Sequence, residues 1–256
     1  MSVIEARHLW KEYGDNIVLE NIDVSVKEGE FITVVGTSGC GKTTFLKLLL
    51  GIEQPTRGEL LLDGEALPNE PNPDRGIVFQ RYSVFPHLKV LENVMLGAEL
   101  EGSSFTGRSF GAKREAIKAD AIAMLKSVGL DGALDKYPTE LSGGMQQRLA
   151  LAQALIKKPR ILLLDEPFGA LDPGIRADMH QLILQIWQET GITIFMITHD
   201  LKEGFHLGTR LWVFDKRRHD EHAPNRYGAA ITFDIPLGHT ERETLETIEE
   251  SMGEKT

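Results

Sequence analysis

The stretch Gly36-Thr-Ser-Gly-Cys-Gly-Lys42-Thr43 decides the fold, because it matches the pattern G-x-x-x-x-G-K-[ST] at every specified position. It follows the apolar run 31–35, which predicts a buried strand, and it leads into the helical run 43–50. Glycines in such a turn let backbone NH groups surround phosphate oxygens, because side chains there would block the approach. The N-terminus of the following helix adds partial positive charge. The sequence therefore predicts a nucleotide phosphate site.

The residues of this loop and of the first helical turn have separate predicted roles. Lys42 is expected to reach the β- and γ-phosphates, and the Thr43 hydroxyl is expected to ligate Mg²⁺. Cys40 lies at the helix N-terminus, which favours a lowered pKa of its thiol; the alternative is a small residue that only fits the loop. The positions expected to line the bound nucleotide are Gly36, Thr37, Ser38, Gly39, Cys40, Gly41, Lys42, Thr43 and Thr44.

A pair of acids ends a second apolar run, Ile161-Leu-Leu-Leu-Asp165-Glu166. Mg²⁺ needs a hard carboxylate oxygen close to the phosphates, so Asp165 is expected to hold the ion, mostly through water. Glu166 is a candidate general base for the attacking water. An Asp-Glu pair by itself is often only a solvated strand end. The phosphate loop in the same chain favours the functional interpretation.

A second glycine-containing motif, Leu141-Ser142-Gly143-Gly144, precedes a run rich in Leu and Ala that predicts a strong helix. Ser142 is explained as a helix N-cap, but two consecutive glycines cost helix stability and need another reason. Bare NH groups and a hydroxyl at a helix N-terminus form an anion-binding concavity. A two-fold dimer would place each nucleotide between the phosphate loop of one copy and this motif of the other. We therefore expect hydrolysis to depend on dimerisation.

The rest of the chain alternates short strands with helices, which predicts an α/β fold. We expect a P-loop NTPase core with a mostly parallel sheet, an antiparallel β edge and an inserted helical subdomain at about 86–158. The predicted domains are an ATPase domain, 1–220, and a short C-terminal extension, 221–256. Further strands are predicted at 18–26, 58–62, 76–80, 160–164, 191–198, 210–214 and 229–235.

The composition excludes several classes of protein. The longest apolar runs of the 256-residue chain fall far short of the roughly 18 to 20 residues that a membrane-spanning helix needs. An excess of acids, 38 Asp and Glu against 28 Lys and Arg, argues against a protein that holds nucleic acid by its phosphates. The single Cys40 excludes an intramolecular disulfide, and the acid at Glu5 with no apolar run beside it argues against a secretory signal.

The order and spacing of these motifs resemble the nucleotide-binding subunit of an ABC transporter, from about residue 3 to about residue 215. The resemblance rests on the phosphate loop, Gln80, Leu141-Ser-Gly-Gly-Met-Gln-Gln147, Asp165-Glu166, Ala170-Leu-Asp172 and His199. In that family the working state is a head-to-tail dimer, which agrees with the dimer inferred above. The resemblance implies ATP and Mg²⁺ as cofactors and ATP hydrolysis coupled to transmembrane transport.

The resemblance also assigns roles to residues that no local pattern singles out. Tyr13 resembles the aromatic residue that stacks on the adenine ring; Trp10 is the alternative for that role, and a packed core aromatic is the alternative interpretation of Tyr13. Gln80 resembles the residue that reaches Mg²⁺ and the attacking water, and His199 resembles the switch histidine that contacts the γ-phosphate and orients Glu166. Asp172 resembles the residue of the loop that crosses the dimer interface.

The implied partners are a second ATPase subunit, identical or paired, and separate transmembrane permease subunits that dock near residues 81–88. A periplasmic or extracellular solute-binding protein acts indirectly, and no nucleic acid is expected. The implied location is peripheral, on the cytoplasmic face of the cell (inner) membrane. A single cassette without membrane helices is typical of prokaryotic importers, and 168–172 and the length resemble the nitrate, sulfonate and taurine group.

Two other readings of the phosphate loop stay open at this point. An ABC-type ATPase acting on nucleic acid or ribosomes commonly has two cassettes or a long coiled coil, and this sequence has one cassette and an acidic balance. A GTPase or a small-molecule kinase would leave Ser142 to Gly144 unexplained, and the chain has no Asn-Lys-x-Asp motif for guanine. Residues 215–222 receive no predicted role.

Overall fold

The computed structural model describes residues 2–79, 84–101, 111–218, 220, 222–223 and 225–237. Gln80, residues 81–83 of the predicted docking loop 81–88, and the acidic stretch 241–256 therefore lie outside the described residues. The chain divides into two compact units, each taken separately below. The first unit comprises 1–71 and 193–256, and the second comprises 72–192.

The helices and strands follow the predicted alternation closely. In chain order they are β1 (Ser2–Tyr13), β2 (Asn16–Lys27), β3 (Phe31–Gly36), α1 (Lys42–Leu50), β4 (Arg57–Leu62), β5 (Glu65–Ala66), β6 (Arg75–Val78), α2 (Val90–Glu101), α3 (Ala112–Ser127), α4 (Gly143–Leu155), β7 (Ile161–Asp165), α5 (Pro173–Thr190), β8 (Thr193–Ile197), α6 (Leu201–Leu207), β9 (Arg210–Asp215) and β10 (Ala230–Pro236).

The first unit contains an antiparallel sheet with the strand order β2-β1-β4-β5, which is the predicted antiparallel edge. Strand β1 was missing from the sequence prediction. Its apolar residues are interrupted by charged ones, and its pairing with β2 shifts register between Ala6 and Leu9. His8 has a φ of 45° at that point, so the strict alternation that marks a strand is broken there.

The first unit also contains the parallel strands that carry the phosphate loop. Strand β3 lies between β8 and β9 and pairs with both in parallel, while β10 runs antiparallel to β9. All of 31–35 is buried, as a strand with neighbours on both sides requires. The ring of Phe45 on α1 lies 5.9 Å from that of Trp212 and 5.5 Å from that of Phe214, so α1 is packed onto β9.

The second unit contains the parallel pair β6 and β7 together with four helices, α2 to α5. Among its described residues no strand lies between 84 and 160, so the predicted helical subdomain is present. Ala121, Leu125 and Val128 recur at helical spacing in the sequence, and all three are buried. None of the described helices in either unit is long and apolar enough to span a membrane.

Candidate nucleotide site

The phosphate loop in the first unit has the expected strand-turn-helix form. Gly39 has a φ of 78° and Gly41 a φ of 94°, conformations that residues with a side chain rarely adopt. A Cβ atom on Gly36 would lie 2.2 Å from the carbonyl oxygen of Phe214, and one on Gly41 would lie 2.7 Å from Leu19 Cδ2. Nothing lies within 4 Å of a Cβ position on Gly39. Gly36 and Gly41 therefore permit close packing of the loop against its neighbours, and Gly39 leaves its backbone accessible on the open side of the loop.

Lys42 is folded into this loop. It is only 8% exposed, and its Nζ donates to the carbonyl oxygens of Gly36 at 2.7 Å and Thr37 at 2.9 Å. Hydrogen bonds between an ammonium and a charged phosphate oxygen are stronger than those to neutral carbonyls. An incoming phosphate would thus offer Lys42 better acceptors close to where its ammonium already lies, and the loop fits a nucleotide phosphate.

The prediction of a lowered thiol pKa at Cys40 is wrong. The residue is 4% exposed, and burial raises the pKa of its thiol above the usual value. The charge of Lys42 acts in the opposite direction but is the smaller effect. Burial disfavours the thiolate because it removes water from the charged form. Cys40 is therefore a packing residue of the loop rather than a reactive thiol.

A cavity of about 620 Å³ lies beside the loop in the first unit. Its walls include Thr37 to Cys40 on one side and Asp215 to Arg217 on the other. The second set begins at the last residue of β9 and receives no role from the sequence. Nothing in its composition indicates that it lies beside the phosphate loop, because the two segments are more than 170 residues apart.

Tyr13 lies at the end of β1 and is 45% exposed, which excludes the interpretation of this ring as a core aromatic. Its hydroxyl donates a hydrogen bond to the carboxylate of Glu53. Partial burial, and next the hydrogen bond to the Glu53 carboxylate, raise the pKa of Tyr13 to about 12. The ring is a neutral, half-exposed aromatic surface, which is suited to stacking on a base.

His199 lies in the first unit, separated from the end of β8 by Thr198, and is exposed. The backbone around it is fixed by its neighbours. Thr198 Oγ1 accepts a hydrogen bond from the amide of Asp200 at 3.0 Å, and the Asp200 carboxylate caps α6 by accepting from the amides of Lys202 and Glu203. The short turn between β8 and α6 thus holds His199 at a strand end, where the sequence predicted it.

Asp165 and Glu166 lie in the second unit, where β7 ends. The preceding residues 161–164 are buried, whereas both acids are half-buried. Glu166 has a φ of 46°, a left-handed conformation that is costly for a residue with a side chain, typically by about 1–3 kcal/mol. Such strain persists only where the surrounding structure fixes it, and it is concentrated at functional sites. The sequence does not reveal this feature of Glu166.

The signature motif in the second unit begins α4. Ser142 is the N-cap, and its hydroxyl accepts a hydrogen bond from the amide of Met145 at 3.4 Å. A Cβ atom on Gly144 would lie 2.4 Å from Ile175 Cγ2, so the close contact between α4 and α5 gives this glycine a packing reason. Packing therefore explains Gly144 without an anion, which the sequence does not predict. Ser142 and Gly143 are exposed and retain the geometry of an anion site.

The predicted site residues are divided between the two units. Asp172 lies in the second, at the N-cap position of α5, and is exposed. Within the described part of the chain, no group of three or more His, Cys, Asp or Glu side chains is placed to hold a metal ion. The first unit contains Tyr13, the loop from Gly36 to Thr44, and His199; the second contains Ser142, Gly143, Gly144, Asp165, Glu166 and Asp172.

Comparison with known sequence families decides the identity of this fold. The profile described as ABC transporter matches residues 19–169, which is more than half of the chain. The chain belongs to the ABC transporter family. Its cassette binds ATP and hydrolyses it in connection with transport, as members of this family do. The expected α/β P-loop fold and the ATPase class are thereby confirmed.

The relatives include ATP-binding proteins whose names give different transported substrates. The chain is 41% identical over 216 residues to the spermidine/putrescine import ATP-binding protein PotA of Spiroplasma citri, covering 84% of this chain and 59% of that one. It is 44% identical over 198 residues to the bicarbonate transport ATP-binding protein CmpD of Synechocystis, covering 77% of this chain and 67% of that one. The cassette thus spans little more than half the length of PotA.

A solved structure shows the same cassette fold. The cassette MJ0796, determined as a dimer in a post-hydrolysis state with ADP and phosphate, superposes with a TM-score of 0.71 at 29% identity. The match covers 92% of this chain and 99% of that one.

The packing of the phosphate loop of this ABC cassette leads to a prediction about stability. Gly36→Ala places a methyl group against the backbone of β9, which cannot move without disturbing the parallel sheet. We expect the free energy of unfolding to fall by about 1–3 kcal/mol, in the range of other overpacked sites. Urea unfolding followed by circular dichroism measures it. Gly132→Ala is the matched control, because nothing lies within 4 Å of its Cβ position; equal stability of both variants would contradict this account of Gly36.

Proposed function

We propose that this chain is the ATP-hydrolysing subunit of an ABC importer and that it works as a head-to-tail dimer beneath separate transmembrane permease subunits. The observation that carries the proposal is the presence of two different phosphate-binding surfaces in one chain. One is the loop around Lys42; the other is the exposed helix N-terminus at Ser142 and Gly143. If one nucleotide is bound by the loop of one copy and by the helix N-terminus of another, the two copies must form a dimer. The dimeric state of MJ0796 supports this arrangement.

The first surface binds the nucleotide. Residues Gly36 to Thr44 enclose the phosphates with backbone NH groups, Lys42 binds the β- and γ-phosphates, and Tyr13 stacks on the adenine ring. Thr43, Gln80 and Asp165 are the proposed ligands of Mg²⁺. When bound, the ion neutralises charge on the β- and γ-phosphate oxygens.

The remaining residues act on water and on the γ-phosphate. Glu166 accepts a proton from the attacking water, and His199 donates a hydrogen bond to the γ-phosphate and orients that water. Ser142, Gly143 and Gly144 bind the γ-phosphate of the nucleotide held by the other copy. Asp172, exposed at the start of α5, contacts the opposite copy and links the two sites.

The transmembrane partners place the chain on the cytoplasmic face of the cell (inner) membrane. The permease docks near 81–88, and a solute-binding protein delivers the cargo without touching this chain. For the cargo we propose the nitrate, sulfonate and taurine group; the similarity to CmpD supports this only in that bicarbonate, which CmpD's name gives, is also a small oxyanion. The proposed ATPase domain is 1–220, followed by a short extension, 221–256, whose strand β10 pairs with β9.

Purification of the tagged chain together with transmembrane proteins of its own cell tests the proposal. We expect the chain to co-purify with them from detergent-solubilised membranes and to hydrolyse ATP in an Mg²⁺-dependent manner. Treatment of the purified complex with nuclease should not change the rate, since no nucleic acid takes part. If the chain co-purified with ribosomes or RNA and without membrane proteins, it would instead be an ABC-type ATPase that acts on nucleic acid or ribosomes.

A further inference from the structure

The hydroxyl end of Tyr13 is held by a cluster of charged groups from three separate segments of the first unit. Glu53 accepts the Tyr13 hydrogen bond and lies 3.2 Å from the Lys11 ammonium and 3.7 Å from that of Lys47. A side-chain hydrogen bond with Thr44, next to the phosphate loop, also reaches the Tyr13 hydroxyl. We call Lys11, Glu53 and Lys47 the Tyr13 anchor.

The anchor is fixed to the surrounding backbone. The amide of Glu53 donates to the carbonyl oxygen of Lys47 at 3.3 Å, just beyond the end of α1. The Lys11 ammonium donates to the carbonyl oxygen of Gln54 at 2.9 Å, so β1 is tied to the same turn. Lys11 and Glu53 are largely buried, their side chains being 12% and 18% exposed. Ion pairs fixed in this way lose less of their interaction energy to side-chain entropy and to solvent screening than exposed ion pairs do.

The same cluster determines which part of the tyrosine is available. The Lys11 ammonium lies 4.9 Å from the centroid of the Tyr13 ring, over one of its faces. Because Lys11 contacts this face and Glu53 binds the hydroxyl, rotation about both side-chain torsions of Tyr13 is restricted. Nearly half of Tyr13 remains exposed, which leaves surface for a base.

We propose that Glu53 is a positioning residue for nucleotide binding, which holds the Tyr13 ring in place before the adenine arrives. The inference rests on the proposed role of Tyr13 as the adenine platform. A ring ordered in advance does not lose its freedom when the nucleotide binds, so affinity for the base improves. The phosphates are bound elsewhere and gain nothing from the anchor.

The test compares MgATP with magnesium tripolyphosphate, which has the phosphates but no base. Glu53→Ala should raise the Kd of MgATP by about three- to tenfold, the effect expected for one immobilised side chain, and leave that of tripolyphosphate unchanged. Glu53→Gln, which keeps an acceptor for the hydroxyl, should restore most of the affinity. Glu59→Ala is the matched control, an exposed acid on the neighbouring strand β4. Isothermal titration calorimetry measures all of these constants.

A second variant keeps the test decisive if Glu53→Ala fails to fold. Tyr13→Phe removes the hydroxyl but keeps the ring, and it should by itself raise the Kd of MgATP by at least about threefold, the effect expected for one immobilised side chain, without changing that of tripolyphosphate. The double variant Tyr13→Phe, Glu53→Ala should bind MgATP no more weakly than Tyr13→Phe alone, because the bond to Glu53 is already absent in Tyr13→Phe. The positioning role would be overturned if the losses of MgATP affinity in the two single variants were additive in the double variant. It would also be overturned if the affinity for tripolyphosphate fell as much as the affinity for MgATP.

Tyr13→Ala separates this inference from the proposed function. If Tyr13→Ala leaves MgATP affinity unchanged, the adenine platform itself is wrong. If Tyr13→Ala weakens MgATP while Tyr13→Phe and Glu53→Ala do not, the platform stands and the anchor alone is refuted.

Discussion

Replacing Glu166 with glutamine should lower the rate of ATP hydrolysis by at least a hundredfold while ATP affinity stays within about twofold, because a general base commonly contributes ~10²–10⁴ to a rate. The amide keeps the size of the carboxylate but does not accept a proton from water. The phosphate loop, which determines affinity, is unchanged in this variant. Steady-state phosphate release and equilibrium nucleotide binding measure the two quantities on the same preparation.

The same variant should accumulate as a dimer with ATP bound, since the step that separates the copies is blocked. Light scattering should show the mass of the Glu166→Gln variant doubling when ATP is added, and the mass should return to that of one chain after ATP is removed. Glu189→Gln is the control, because it makes the same chemical change at an exposed position on α5. Hydrolysis at a near wild-type rate by Glu166→Gln would remove Glu166 as the base.

Introducing arginine at Ser142 should abolish ATP-induced dimerisation and reduce turnover at least a hundredfold while a single copy binds ATP normally. Ser142 is exposed, so a long side chain fits on the free chain without displacing its neighbours. In the dimer that side chain would fill the space in front of the helix N-terminus, where the nucleotide of the other copy is proposed to bind. The nucleotide of the same copy is held by other residues and should be unaffected.

Loss of the helix cap needs its own control, because removing a capping hydroxyl costs about 1 kcal/mol. Ser142→Asn keeps a capping acceptor with little added bulk and should retain much of the activity. Ser127→Arg places the same side chain at another exposed serine at a helix end in the second unit. If Ser142→Arg instead destroyed ATP binding by the isolated monomer, the assignment of this motif to the opposite copy would be contradicted.

Local sequence patterns predicted most of the fold. The run 31–35, the glycine-rich turn and the helix after it have the predicted order, because each is determined by its own residues. Strand β1 was missed where its pairing shifts register and His8 adopts a positive φ. Alternation is a reliable signal only when the strand is regular, so a bulged strand with charged residues escapes it.

Properties that depend on distant segments were not readable from the sequence. The pKa of Cys40 was predicted in the wrong direction, because helix position is visible in the sequence and burial of the thiol is not. Gly144 was assigned to anion binding without its contact with Ile175, 31 positions away. Glu53 was not considered at all, since its bond to Tyr13 joins residues that are 40 positions apart.

A mixing experiment tests the central claim, that each site is built from two copies of the chain. The Lys42→Ala variant lacks the phosphate loop lysine and the Ser142→Arg variant lacks a working signature motif, so each alone should be inactive. A mixed dimer contains one complete site, made from the loop of the second variant and the motif of the first. We predict that ATP hydrolysis reappears when the two are combined and rises with their concentration. A rate that never exceeds the sum of the separate variants would contradict the shared site.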